Sequence, residues 1–141
     1  MSEKLKAEIF SYFKQLQTVF LATSDEERPY VRPMLLLYVD EKFWIATGSE
    51  DAKTPQLKNN PHFEFCYLIE DSDEHGYIRG AGTVEFITDL KIRKKFIDDF
   101  SYIRHYWQEP DDLGYVLFQL HIDSFEYMCP GQTTTHKMEF K

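Results

Sequence analysis

The chain has few cysteines and no long apolar run. Its 141 residues include two cysteines, Cys66 and Cys129, at a spacing typical neither of a disulfide framework nor of a zinc site. No apolar run approaches the roughly 20 residues that span a bilayer, and the first residues do not form a signal peptide. We therefore expect a soluble, cytoplasmic protein with reduced thiols and no membrane partner.

Basic residues are also scarce. The chain has 16 Lys and Arg against 24 Asp and Glu, which gives a formal net charge of -8. Sequence-independent binding of nucleic acid needs clustered basic side chains that neutralise phosphates. The composition therefore argues against a nucleic-acid partner.

Common catalytic and metal-binding motifs are absent from the sequence. The five histidines form no His-Glu-x-x-His motif, and no Gly-x-Ser-x-Gly elbow is present. Ser49 has no obvious base to activate it as a nucleophile. We therefore expect no metal site, and we assign no catalytic residue.

Apolar and aromatic residues, by contrast, are plentiful. Hydrophobic residues make up 43% of the chain and aromatic residues 16%, including 12 Phe and 9 Tyr. This content is ample for a packed core, and the length predicts one domain over residues 1–141. The aromatic side chains favour a β-rich body and a surface that is buried against a partner or a flat ligand.

Hydrophobic periodicity predicts strands interrupted by three helices, in the order α-βββ-α-ββ-α-ββ. The predicted helices cover residues 2–17, 53–60 and 88 to about 107. The predicted strands cover residues 18–23, 29–39, 43–47, 62–70, 75–87 and 115–122, the last extended by 124–128, and the tail from residue 129 has no clear period. The connections between strands are too short for parallel crossovers. We therefore predict a mainly β protein, a six- to seven-stranded antiparallel barrel with flanking helices.

Gly80 and Gly82 lie two residues apart in the predicted strand 75–87 and therefore share one face. Such a pair allows sharp coiling of the strand or the close approach of another group. Closed sheets use both, so the spacing supports a barrel.

Four polar residues are brought together by the hairpin that joins two of the predicted strands. Arg32 lies in the first strand, and the hydroxyls of Thr47 and Ser49 and the cation Lys53 follow the second. Fixed positive charge, neutral donors and the N–H groups at the start of a short helix suit a phosphate. A lysine at a helix N-terminus opposes the helix dipole, which strengthens this interpretation. The alternative is that both cations are ordinary solvated side chains.

Residues from about 18 to 128 resemble the pyridoxamine 5′-phosphate oxidase-like family of FMN-binding split barrels. Similarity is greatest to its general stress protein and nitroimidazole-resistance branches. Four segments carry the resemblance, in the right order: Val19-Phe20-Leu21-Ala22-Thr23, Arg32-Pro33-Met34, Thr47 through Lys53, and Asn60-Pro61. The resemblance implies an FMN-binding split barrel that forms a homodimer, with FMN in a cleft between the two protomers.

The resemblance also implies roles for individual residues. Arg32 and Lys53 match residues that contact the FMN phosphate, and Met34 matches a residue that lies along the isoalloxazine ring. Tyr77 falls where the oxidases carry a glutamine that contacts the ring. The candidate cofactor-binding residues are therefore Arg32, Pro33, Met34, Thr47, Ser49, Lys53, Thr54 and Tyr77.

The chain departs from the family pattern in four places. Asp51 stands where the family usually has serine, and Ala52 stands where the oxidases have a second phosphate-binding arginine. Leu37 replaces a basic residue at the end of its strand. The oxidases end in an arginine-containing motif that grips pyridoxal phosphate, whereas the tail of this chain has no arginine. Pyridoxamine phosphate is therefore not the expected substrate.

The sequence thus predicts an FMN-dependent oxidoreductase that acts on an unidentified small molecule and takes electrons from a separate reductant. A deazaflavin in place of FMN stays open at this point. Two alternatives remain on the same barrel. One is a protein that binds or stores flavin or haem, or serves in a stress response, without turnover; the other is a barrel that has lost its flavin.

Overall fold

The computed structural model describes residues 2–140 as one sheet of seven antiparallel strands with four helices around it. The strands are β1 Leu16–Asp25, β2 Arg28–Val39, β3 Lys42–Gly48, β4 His62–Asp71, β5 Glu74–Phe86, β6 Tyr115–Met128 and β7 His136–Glu139. The helices are α1 Ser2–Ser11, α2 Lys53–Asn59, α3 Leu90–Asp99 and α4 Ser101–Tyr106. The predicted mainly β architecture with flanking helices is confirmed.

Six of the strands close into a ring. Their order is β3-β2-β1-β4-β5-β6, and β3 pairs again with β6, while β7 adds to β6 outside the ring. Closure leaves few free strand edges, which is how small antiparallel sheets avoid pairing with other chains. The predicted antiparallel barrel is therefore confirmed.

The barrel is split between β2 and β3. These strands pair only at residues 37–39, after which β3 runs along β6. Within the described residues, positions 28–36 of β2 consequently have no strand beside them on the side away from β1. The split leaves one open edge, and the candidate phosphate residues lie beside it.

Two prolines modify this open edge. The N–H of Tyr38 donates to the carbonyl of Gln15, so the even-numbered residues of β2 direct their N–H groups toward β1. Pro29 and Pro33 therefore stand at positions whose N–H would point outward. Proline has no N–H, so the edge offers few donors, a common means of blunting an exposed strand.

Two hydrophobic clusters lie on opposite sides of the sheet. Strand β3 lies between the two clusters, and its residues are buried on both faces of the sheet. Phe43 and Ile45 point into the barrel, whereas Trp44 packs against Phe96 of α3 on the outside. The barrel interior therefore forms one core, and the layer beneath α3 and α4 forms a second.

The glycine pair in β5 allows close approach, as predicted. A Cβ atom at Gly80 would lie 2.6 Å from the ring of Phe65 on β4. A Cβ atom at Gly82 would lie 1.8 Å from the carbonyl oxygen of His121, at the irregularity in the pairing of β5 with β6. Neither position has room for a side chain.

The first helix is shorter than predicted. It ends at Ser11 rather than at residue 17, because residues from Leu16 onward pair with β2. The side chain of Gln17 helps to fix the connection, since its amide nitrogen donates to the carbonyl of Leu36 at 2.7 Å. Leu16 fits a helical stripe and a strand equally well, so periodicity could not locate the boundary.

The third predicted helix is two helices. Asp89 is the N-cap, and its side chain accepts from the N–H groups of Lys91 and Ile92. Phe100 adopts an extended conformation and is buried, which ends α3 and lets α4 start in a new direction. The helical spacing of apolar residues in the sequence continues across Phe100, so it did not reveal the break between the two helices.

The tail contains a strand that the sequence did not predict. β7 pairs with β6 from Ser124↔Glu139 to Tyr127↔His136. Four residues are too few to establish an alternating pattern.

No helix within residues 2–140 is both long enough and apolar enough to cross a membrane.

Candidate anion-binding site

The candidate site lies where the open edge of β2, the end of β3 and the start of α2 meet. The loop from β3 into α2 is held at both ends. The N–H of Ser49 donates to the carbonyl of Gly114 at 3.0 Å, and Oγ1 of Thr54 donates to the carbonyl of Gly48 at 3.2 Å. The loop is therefore fixed in place before any ligand arrives.

Lys53 is a buried cation with unused hydrogen-bonding capacity. Its side chain is 0% exposed, and Nζ lies 2.9 Å from Oδ2 of Asp51. Apart from this carboxylate, Nζ has no partner among residues 2–140. A buried ammonium group with one carboxylate beside it and further N–H donors unused is destabilising, and its position fits a ligand that accepts from it.

Asp51 contacts Lys53 twice. Its Oδ1 accepts from the backbone N–H of Lys53 at 3.1 Å, while Oδ2 faces Nζ. Burial works against the ionised carboxylate, but the contacts with Lys53 and the charge of Arg32 hold the pKa of Asp51 below its ordinary value. Burial also lowers the pKa of Lys53, and Asp51 opposes that shift.

Arg32 is held between β1 and α2 by neutral groups. Nη1 donates to Oγ1 of Thr23 at 2.8 Å and to the carbonyl of Leu21 at 3.3 Å. Nη2 donates to Oε1 of Gln56 at 3.2 Å, and Oγ1 of Thr23 donates to the same oxygen at 2.6 Å. None of these contacts neutralises the guanidinium, so its charge remains available to an anion.

Thr23 and Gln56 contact Arg32, and the sequence analysis assigned no role to either of them. Thr23 ends the first of the four motif segments, and Gln56 follows Lys53 by three residues on α2. Their side chains meet only because α2 packs across β1. A helical turn after the phosphate lysine was the available signal for Gln56, whereas the sequence carried none for the role of Thr23.

The structure brings the two predicted phosphate cations, Arg32 and Lys53, close enough for their charges to interact. Ser49 lies on the loop between β3 and α2, Thr47 is buried before it, and Thr54 is buried with its hydroxyl bonded to Gly48. Pro33 and Met34 follow Arg32 on β2. Met34 shares the face of Arg32 and packs against the barrel core, and Pro33 is exposed on the other face.

Tyr77 does not join this group. It lies opposite Leu68 on β4 and belongs to the outward face of the sheet. Its hydroxyl donates to Oε2 of Glu126 at 2.9 Å, and this hydrogen bond raises the pKa of Tyr77. Arg79 joins the same carboxylate at 3.0 Å and Glu64 at 2.8 Å. Within one chain, Tyr77 is therefore part of an outer polar network.

Apolar side chains surround this network on the outward face. Phe20 is opposite Pro33 on one side and Cys66 on the other, and Leu68 lies farther along β4. Four large members of this outer face are 36–69% exposed: Phe20, Val31, Leu35 and Leu68. A contiguous apolar surface of this kind marks an interaction site.

The family comparison decides the classification. Residues 5–129 match the pyridoxamine 5′-phosphate oxidase family. The chain belongs to this family. The resemblance noted in the sequence is thereby confirmed.

Solved structures of the same fold come from several organisms. General stress protein 26 from Bacillus anthracis is 22% identical, with a TM-score of 0.75 and coverage of 96% of this chain and 98% of that one. A NimC/NimA family protein from Clostridium acetobutylicum is 16% identical, with a TM-score of 0.75 and coverage of 99% and 92%. A heme binding protein from Mycobacterium smegmatis is 14% identical, with a TM-score of 0.73 and coverage of 89% and 53%. No curated protein matches the chain.

The positions at which this family member departs from the common pattern have different surroundings. Leu37 is fully buried and belongs to the core beneath α3 and α4, so it performs a packing role. Ala52 is exposed at the N-cap position of α2 and offers no side-chain hydrogen bond. Asp51 is the departure that reaches the candidate site, through Lys53.

Charge and unsatisfied donors, rather than cavity volume, identify the site. Two cavities of about 380 Å³ lie elsewhere, one beside α1 and Phe140 and the other beside Arg93 and Leu113. Neither is lined by Arg32 or Lys53. Within the described part of the chain, no group of three or more His, Cys, Asp and Glu side chains is placed to hold a metal ion.

Proposed function

We propose that this member of the pyridoxamine 5′-phosphate oxidase family binds FMN and acts as an oxidoreductase on a small molecule other than pyridoxamine phosphate. The observation that carries the proposal is that two cations, Arg32 and Lys53, lie at the same site. One cation is held by neutral partners, and the other is buried with unused donors. Both are suited to the phosphate of FMN.

The residues present fit such a group. Each charge-assisted contact to a phosphate contributes about 1.5–3 kcal/mol, and the loop that carries Lys53 is already fixed by Gly114 and Thr54. Met34 lies two residues beyond Arg32 on the same face and offers an apolar surface to the ring. FMN itself supplies the hydride and electron chemistry when bound. The chain binds the phosphate, orients the ring and limits access of water.

We propose further that the functional unit is a homodimer. The open edge of β2 and the outer face defined by Phe20, Val31, Leu35 and Leu68 are contiguous on one side of the molecule. A second copy that covers this face would form a cleft beside Arg32. Its Tyr77, partly exposed on the corresponding face, would then stand near the site of the other protomer.

One substrate, pyridoxamine phosphate, is disfavoured because the tail of the chain lacks an arginine that could bind its phosphate. Residues 129–141 contain no arginine, and β7 in this segment pairs with β6. The chain therefore lacks a residue in this segment that could grip the phosphate of pyridoxamine phosphate bidentately. We propose that the substrate is a small molecule that does not need such an arginine for binding. Its electrons would come from a reductant such as a reduced nicotinamide.

The purified protein tests this function directly. We expect a yellow protein with the absorbance of oxidised flavin, or a colourless one that acquires it on addition of FMN. Oxidation of reduced nicotinamide in the presence of FMN and an electron acceptor then distinguishes an enzyme from a carrier. A protein that neither contains nor takes up flavin contradicts the proposal.

A second candidate function is binding of flavin or haem without turnover. The observation that favours it is chemical: among residues 2–140, the side chains that hydrogen-bond or ion-pair with Arg32 and Lys53 are those of Thr23, Gln56 and Asp51. The group therefore has the character of an anchor and contains no acid–base pair suited to neutral pH. Tight binding of flavin or haem with no nicotinamide oxidation under any acceptor would establish this alternative.

A further inference from the structure

The carboxylate of Asp51 occupies both donors that Lys53 directs toward the site. One oxygen accepts from the backbone N–H, and the other lies against Nζ. A phosphate oxygen bound here would meet the same two donors. Asp51 is therefore a resident anion in a site built for anions.

The formal charges of the three ionised side chains that interact at the site, Arg32, Lys53 and Asp51, sum to +1. Arg32 and Lys53 each contribute +1, and Asp51 contributes -1. From β1 and α2, the groups that face the site are Thr23 and Gln56, which are neutral. The loop also carries Glu50, which is exposed, and backbone groups of Gly48 and Gly114 complete the surroundings.

This sum sets the charge of the anion that the site neutralises. A phosphate group with one negative charge brings the total to zero. A dianionic phosphate leaves an uncompensated negative charge in a partly buried place, where repulsion is weakly screened. With serine at position 51, two cations would neutralise the dianion instead.

We propose that Asp51 makes the site selective for a phosphate group that carries a single negative charge, so that FMN binds with uptake of one proton. The inference rests on the proposed function, because it takes FMN as the ligand. The second pKa of a phosphate monoester is about 6, so free FMN is mostly dianionic at neutral pH. The proton comes from solvent and is held by the phosphate, which is then the monoanion.

The direction of the pH dependence follows from this proton. The complex holds one proton more than the separated partners, so the affinity for FMN falls as pH rises above about 6. The limiting slope is about tenfold in Kd per pH unit. The lowered pKa of Asp51 is consistent with a free site in which this carboxylate is charged.

Calorimetric titration measures the proton directly. FMN is titrated into the full-length protein at pH 7.5 in two buffers that differ in ionisation enthalpy. We expect uptake of about one proton by the wild type and of none with riboflavin, which lacks the phosphate. Asp51→Asn removes the charge with little change of shape, and we expect its proton uptake with FMN to fall to near zero. Asp51→Ser is a second variant with the same expectation.

Glu50→Gln is the matched control. It removes an exposed carboxylate from the neighbouring position, and we expect its proton uptake to equal that of the wild type. FMN binding by the wild type without proton uptake overturns the inference, as does uptake that survives Asp51→Asn or is abolished equally by Glu50→Gln. If neither the wild type nor Asp51→Asn binds FMN at pH 6 or pH 8, the proposed function is overturned and this inference with it.

Discussion

Oγ1 of Thr23 accepts a 2.8 Å hydrogen bond from Nη1 of Arg32 and donates its own proton to Gln56 at 2.6 Å. Thr23 is buried and does not itself face the open edge of β2. It therefore acts as a positioning residue, because it fixes the direction in which the guanidinium presents its charge.

We expect Thr23→Val to weaken FMN binding about three- to tenfold, since the valine keeps the volume and the hydrogen bond that Arg32 loses is worth roughly 1 kcal/mol. The hydrogen bond from Thr23 to Gln56 is lost as well. Riboflavin affinity should stay within twofold, because riboflavin has no phosphate for Arg32 to contact. Fluorescence titration with both ligands checks this. An equal loss for both would show that Thr23 shapes the barrel rather than the orientation of Arg32.

Lys53 should lower the stability of the ligand-free protein. Its side chain is 0% exposed and has one carboxylate beside it. Lys53→Met removes the cost of burying the ammonium group, and Asp51, whose side chain is 45% exposed, stays in contact with solvent. We expect Lys53→Met to raise the free energy of unfolding by about 1–2 kcal/mol, and to abolish the FMN preference over riboflavin.

Thermal unfolding without ligand provides the measurement, with Lys58→Met on the same helix as the control for loss of an exposed lysine. A rise of a few degrees for Lys53→Met alone is expected. A fall in the melting temperature would mean that the ion pair with Asp51 is structural and that Lys53 is not retained for a ligand.

The same lysine should contribute to the pH dependence of stability. Burial lowers the folded-state pKa of Lys53 below its ordinary value of 10.5. Between those two values the unfolded chain binds more protons, so the contribution of Lys53 to stability increases as pH rises toward 10.5. Chemical denaturation from pH 7 to pH 10 should show a steeper increase for the wild type than for Lys53→Met. Parallel curves for the two proteins would contradict the assignment.

The outer face should be a dimer interface. Leu68 is 55% exposed among apolar neighbours on this face, whereas Leu113 is 93% exposed in the loop before β6. A permanent homodimer buries more than about 2,000 Å². We expect a dimer by light scattering at micromolar concentration, converted to monomer by Leu68→Glu and unaffected by Leu113→Glu. A monomeric wild type would contradict the homodimer.

Most of the fold could be predicted because strand alternation is local. In the strand that carries Arg32 and Met34, the alternation in the sequence predicted which side chains share a face. The pairing of this strand with β1 confirms that prediction. The end of α1 could not be placed, because Leu16 satisfies both periods. β7 and the break at Phe100 depend on tertiary pairing and packing, which leave no repeat in the chain.

The sequence indicated the two cations of the candidate site, but it did not indicate the residues that contact them. Residue types and spacing placed Arg32 and Lys53 on either side of one hairpin. The contacts of Thr23 with Gln56 arise from the packing of α2 across β1, a relationship between distant segments. For Asp51 the sequence showed only a departure from the family pattern, and the ion pair with Lys53 shows where its carboxylate lies.

The central claim is that Arg32 and Lys53 hold the phosphate of FMN, and parallel titration of Arg32→Ala with FMN and riboflavin tests it most directly. Loss of one charge-assisted contact of about 1.5–3 kcal/mol predicts FMN binding weakened about ten- to a hundredfold. Riboflavin binding should be nearly unchanged, because the ring and ribityl chain do not depend on that charge. Equal losses for the two ligands, or no loss for FMN, would contradict the account.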